Sequence, residues 1–164
     1  TNPSPNLRNL TAAILYPGTC MLENMQVSVG RGTDTPFLMV GAPWFKGNEV
    51  ADYLNGRNVP GVRFLSRHFT PSEQPYKGQE CFGLDVQLID RNKYDSARLG
   101  LELASAVLKF HPGKYTLDRK IMLLLGSDKT AAMLQKGVSP QEIEAALRPD
   151  LEEFRTVRQK YLLY

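Results

Sequence analysis

The stretch with the most chemical promise is Gly30-Arg31-Gly32-Thr33-Asp34. Two glycines flanking an arginine let backbone approach a ligand closely, and the guanidinium offers a planar, two-pronged donor to a carboxylate or phosphate. The run is not a P-loop, which needs Gly-Lys-Ser/Thr at a longer spacing. The plain alternative is a glycine-rich turn ahead of a strand at Phe37. Glu23 and Asp34 are the nearby carboxylates, and Asp85 lies on the polar face of a later strand. A glycosidase needs two carboxyl groups on opposite sides of a sugar, one of them acting as the acid. Glu23 and Asp34 could form such a pair, as could almost any two acids in loops. Tyr76, between Pro75 and Gly78, is the aromatic best placed to stack on a sugar face, while Trp44 and Phe82 read first as core.

The two histidines stand alone. His68 lies between Arg67 and Phe69, His111 falls at the end of a long helical pattern, and neither has a His or Cys partner at metal-ligand spacing. No metal site and no cofactor are expected. Cys20 and Cys81 are 61 positions apart. A bridge between them would contribute roughly 4 kcal/mol in the loop-entropy model, and two buried thiols acting as small hydrophobes are the alternative.

These residues must be held by a framework, and its elements can be read from periodicity. Asn6–Tyr16 has helical spacing and is expected to break at Pro17-Gly18. Pro36–Val40 reads as a strand, 47–56 as a helix, and Val62–Thr70 as a second strand. Cys81–Asp90 is the clearest strand, with Phe82, Leu84, Val86 and Leu88 alternating with Gly83, Asp85 and Gln87. Asp95 caps a long helix striped by Leu99, Leu103, Val107 and Phe110, which Pro112-Gly113 ends. Ser127 caps a short helix. Ser139-Pro-Gln-Glu142 is a capping box, and Pro149 is expected to start or kink a last helix packed through Leu151, Phe154, Val157 and Tyr161. Strands at about 25–90 followed by helices predict an α+β domain, a small and mainly antiparallel sheet covered by helices with a helical C-terminal part.

Length and charge set the outer bounds. The 164 residues suit one domain with its own core, and 42% hydrophobic content at net charge +3 excludes a disordered chain. The basic excess lies within residues 61–120, ten against seven acidic, with the signs mixed, so no nucleic-acid stripe is present. The longest apolar run, Ile121–Leu125, is far short of a membrane span and stops at Gly126. Thr-Asn-Pro-Ser-Pro-Asn at the start reads as a linker, which makes residues 1–8 a connection to something upstream and 9–164 a single domain.

Tyr16-Pro-Gly-Thr-Cys20-Met-Leu-Glu23, Gly30-Arg-Gly-Thr33-Asp-Thr-Pro36-Phe37, Gly41-Ala-Pro-Trp44, Pro60-Gly-Val-Arg-Phe64, Tyr76-Lys-Gly78, Cys81 and the closing Tyr161-Leu-Leu-Tyr164 together resemble the C-terminal half of the NamZ family of bacterial glycoside hydrolases. The match runs in order across nearly the whole chain. The resemblance implies an N-terminal Rossmann-like domain upstream that carries the catalytic carboxylate. It implies a cleft between the two domains, removal of terminal N-acetylmuramic acid from peptidoglycan fragments, and a periplasmic or extracellular setting. The family segment Glu-Gly-Thr-Asn followed by Ser-Glu-Gly-Arg-Gly-Thr is altered here. Glu23 and Arg31-Gly32-Thr33 stand, but Asn24-Met25-Gln26 take the three places after Glu23 and Val29 takes that of the acid before the glycine.

The resemblance makes Glu23, Arg31, Gly32, Thr33, Tyr76 and Arg63 the expected substrate-binding residues. N-acetylmuramic acid differs from N-acetylglucosamine by a lactyl ether that ends in a carboxylate. A guanidinium bonded to that carboxylate favours the lactyl sugar and is left without its partner when the other sugar binds. Arg31 is expected in that role, with Arg63 in reserve. Two other readings stand beside this one: a non-catalytic cell-wall sugar-binding module, and an autonomous hydrolase that uses Glu23 and Asp34.

Overall fold

The computed structural model describes residues 4–116 and 119–163. Residues 1–3 of the expected linker and Tyr164 of the closing motif lie outside the described residues. The element order is α1 (Leu10–Thr19), a 3₁₀ turn (Cys20–Leu22), β1 (Met39–Ala42), α2 (Gly47–Gly56), β2 (Val62–Phe69), β3 (Cys81–Leu88), α3 (Ser96–Phe110), α4 (Arg119–Leu125), α5 (Asp128–Gln135) and α6 (Pro140–Gln159).

The class is α+β, as expected. One antiparallel sheet has the order β1-β3-β2, so the strand with the best alternation takes the centre. Its register pairs Phe64 with Val86 and Val40 with Leu84 on the inner face, and Arg63 with Gln87 and Leu65 with Asp85 on the outer face. The inner face buries Val40, Ala42, Phe64, Leu84 and Val86 under Val50, Ala51 and Leu54 of α2. That approach needs a glycine, because a Cβ on Gly47 would come 2.6 Å from the Gly83 carbonyl. Behind α2, α3 packs on α1, where Gly18 brings the two backbones together: a Cβ there would lie 2.8 Å from the Ser96 carbonyl.

Glu102 of α3 is fully buried and paired with Arg57, which follows α2, and with Arg98; Arg98 in turn bonds Glu144 of α6 at 2.7 Å. A buried carboxylate is tolerable only with such partners. Both cysteines are free thiols, Cys81 fully buried, and burial pushes its thiol up to about 11.

The structure corrects four expectations. Helix α1 does not break at Pro17 but runs through it to Thr19. The missing N–H removes one ladder bond, and the last turn is held instead by the Thr19 hydroxyl on the Leu15 and Phe37 carbonyls, 3.2 Å each. The first strand begins three residues late, at Met39, because Phe37 takes φ +66° and turns back to donate its N–H to Val29 O at 2.8 Å. Residues 119–125 form a helix that their apolar run did not announce. Finally, Pro149 does not start a helix but lies inside one. The Ser139 capping box launches α6, which continues to Gln159, and Leu151, Phe154, Val157 and Tyr161 are exposed rather than packed.

Candidate functional site: a cavity between two loops at the rim of the sheet

The Gly30–Asp34 run is the tip of a turn that leads into β1. Gly30 and Gly32 have φ +79° and +76°. The Thr33 hydroxyl donates to Gly30 O at 2.7 Å and accepts the Thr35 N–H at 3.2 Å, while Ser28 and Gly41 exchange backbone bonds at the base. The motif is therefore a glycine-rich turn and, at the same time, one wall of a cavity.

The opposite wall is the loop between β2 and β3. Gly32 O accepts both the Ser72 N–H at 2.9 Å and the Ser72 hydroxyl at 2.8 Å. A Cβ on Gly32 would collide with the Glu73 backbone nitrogen and lie 2.8 Å from that of Ser72. Glycine is needed there for contact as well as for φ. The far part of the loop is pinned by Tyr76, whose hydroxyl accepts Trp44 Nε1–H at 3.0 Å and donates to Gln26 O at 2.8 Å.

Between the loops is a cavity of about 520 Å³, within the usual size of small-ligand sites. Gly32, Thr33 and Asp34 line one side, Ser72 and Glu73 the other, and Met39, Arg67 and Phe69 form the strand side. Arg8, from the segment before α1, also reaches the lining. Arg67 stands 3.7 Å from Asp85 across the strands. The lining is predominantly polar and holds two guanidiniums, His68 and two carboxylates, a composition suited to a hydroxyl-rich or anionic ligand.

Arg31 itself does not line this cavity. Its Nε donates to Glu23 Oε1 at 2.5 Å, and its guanidinium carbon sits 4.8 Å from the centre of the Phe37 ring. No hydrogen bond to its terminal nitrogens occurs among the described residues. The structure thus groups Glu23 with Arg31, and Gly32 and Thr33 with Asp34. Glu23 does not line the cavity that Asp34 lines. Tyr76 acts as a loop clamp with its hydroxyl used in both directions. Arg63 lies apart, at the opposite end of β2, lining a cavity of about 420 Å³ with Pro60 and Ile89. Arg8, Arg67, Ser72 and Glu73 were not singled out from sequence. Only Arg67 left a trace there, as the outward residue of a strand whose neighbours alternate.

Two of the four positions that depart from the family pattern go inward. Met25 is fully buried and Val29 nearly so, while Asn24 is half-buried and Gln26 exposed. His111 is also structural. It is buried beside Trp44 and Phe45, and its Nε2 accepts the Lys46 N–H at 2.9 Å. Among the described residues no group of three or more His, Cys, Asp and Glu could hold a metal ion, and no helix is long and apolar enough to cross a membrane.

Comparison with known proteins places this geometry in context. The chain is 30% identical to the peptidoglycan β-N-acetylmuramidase NamZ of Bacillus subtilis (strain 168), over 99% of this chain and 40% of that protein. Two crystal structures of DUF1343 family proteins from Bacteroides fragilis NCTC 9343 share the fold, with TM-scores of 0.86 and 0.70 at 26% and 30% identity. Each matches 99% of this chain, which covers 44% and 43% of theirs. The chain therefore spans about two fifths of the length of these relatives. Residues 14–164 match the family described as exo-β-N-acetylmuramidase NamZ, C-terminal, and to that family the chain belongs.

Proposed function

We propose that this domain forms one wall of the sugar cleft of an exo-β-N-acetylmuramidase, holding the terminal N-acetylmuramic acid of a peptidoglycan fragment. The observation that carries the reading is the setting of Arg31. Glu23 fixes its Nε, Phe37 supports one face of the guanidinium, and the terminal nitrogens are left without a protein hydrogen bond among the described residues. A guanidinium fixed in this way is a ready two-pronged donor for the lactyl carboxylate, and Glu23 is its positioning residue. The neighbouring cavity, with Gly32, Thr33 and Arg67, takes the hydroxyl and acetamido edges of the sugar.

In this reading the carboxyl group that protonates the leaving oxygen comes from outside the chain. Of the two acids considered from sequence, Glu23 is occupied by Arg31 and Asp34 faces a cavity that Glu23 does not line. An N-terminal Rossmann-like domain supplies the catalytic carboxylate, and the substrate places the protein in the periplasm or outside the cell. The test is titration of the isotopically labelled chain with N-acetylmuramic acid, followed by amide NMR. Shifts are expected at Gly30–Thr33 with that sugar, absent with N-acetylglucosamine and absent in Arg31→Ala. An equal response to both sugars, or none to either, contradicts the reading.

A further inference from the structure

The apolar face of α6 outlasts the core it packs on. At about 100° per residue, Ile143, Leu147, Leu151, Phe154 and Val157 fall within one arc about 120° wide, which also holds Arg158 and Asp150, the latter ion-paired with Lys129. Ile143 is fully buried and Leu147 packs against the core. Leu151, Phe154 and Val157, further along the same arc, are 51%, 59% and 46% exposed, and Tyr161, Leu162 and Leu163 just beyond the helix are exposed as well. A ten-residue helical end has little stability of its own in water, and an apolar stripe continuous with a core is the mark of a face that another body covers.

The relatives indicate which body that is. This chain matches a C-terminal domain family and spans only 40% to 44% of its relatives, so most of their length precedes the matched domain. We infer that the second half of α6, from Leu151 to Tyr161, is the docking surface for an N-terminal domain of the same polypeptide. The inference rests on the reading above that such a domain exists in this protein. The polar side of the helix, which carries the Glu152–Arg155 pair, stays in solvent.

Amide hydrogen exchange over residues 150–163 tests it, measured in the product of the full reading frame and in this chain alone. Exchange is expected to be about tenfold or more slower in the larger protein. Phe154→Asp, at an exposed site, should abolish that protection while leaving β3 as protected as before. Equal exchange in the two proteins overturns the inference and leaves the sugar-binding reading intact. So does protection in the isolated chain that rises with its concentration, which would assign the face to a second copy. A reading frame with no upstream domain overturns both the inference and the two-domain reading it rests on. Failure of the sugar titration, by contrast, leaves the α6 result standing.

Discussion

Arg31 differs from a lysine at the same place in having two functions on one group. Its Nε is bonded to Glu23 and its remaining nitrogens make no hydrogen bond among the described residues, an arrangement that a single ammonium cannot reproduce. Under the proposed function, Arg31→Lys in the product of the full reading frame is expected to lower kcat/KM for a β-N-acetylmuraminide by roughly tenfold or more, the worth of one hydrogen bond to a charged group. Any activity on the matching β-N-acetylglucosaminide should not change, and a parallel fall on both sugars would assign Arg31 to general structure. His111 offers a separate test at this scale. Burial holds its pKa below the ordinary value, opposed by the Val107 backbone, and its Nε2 must be unprotonated to accept the Lys46 N–H. The unfolded chain takes up that proton near pH 6.5, while the folded chain takes it up only at lower pH. Stability is therefore fully present above about pH 6.5 and falls as pH drops below it. Urea unfolding at pH 7.5 and 5.5 should show this loss in the wild type and a smaller one in His111→Gln.

At the scale of elements, the glycine turn and the β2–β3 loop stand or fall together. Gly32→Ala forces a side chain into a left-handed backbone position and into the Glu73 nitrogen. A cost of about 1–3 kcal/mol is expected by denaturant unfolding, and the sugar-dependent shifts at Gly30–Thr33 should disappear. Retained shifts would mean that the two loops need not touch for binding. The strands, α2, α3 and the Ser139 cap were legible because period-2 alternation, 3.6-residue stripes and capping residues are local signals. What local signals could not show was decided by tertiary contact. Thr19 bridging to Phe37 carries α1 past Pro17, and the turn at Phe37 delays β1. The apolar stripe of α6 was read correctly as a stripe, but its location depends on how far the core extends, and the core ends at Leu147.

For the whole molecule, half of the candidate site was visible in the Gly-Arg-Gly-Thr run. The other half comes from a loop about forty positions away, joined to it through Ser72 and Gly32, a pairing that no spacing announces. The same holds for the two arginines of the cavity, one before α1 and one near the end of β2. The assembled domain does not bring Glu23 and Asp34, the pair weighed from sequence, to one cavity, and it displays an uncovered apolar face at its C-terminal end. Both features suit a domain that binds sugar and leaves the bond-breaking acid to a neighbour. The most direct test is hydrolysis of a chromogenic β-N-acetylmuraminide by this chain alone and by the product of its full reading frame. No turnover by the chain alone and clear turnover by the full-length product are expected; turnover by the isolated chain that Glu23→Gln abolishes would contradict the proposed function and place the chemistry in this domain.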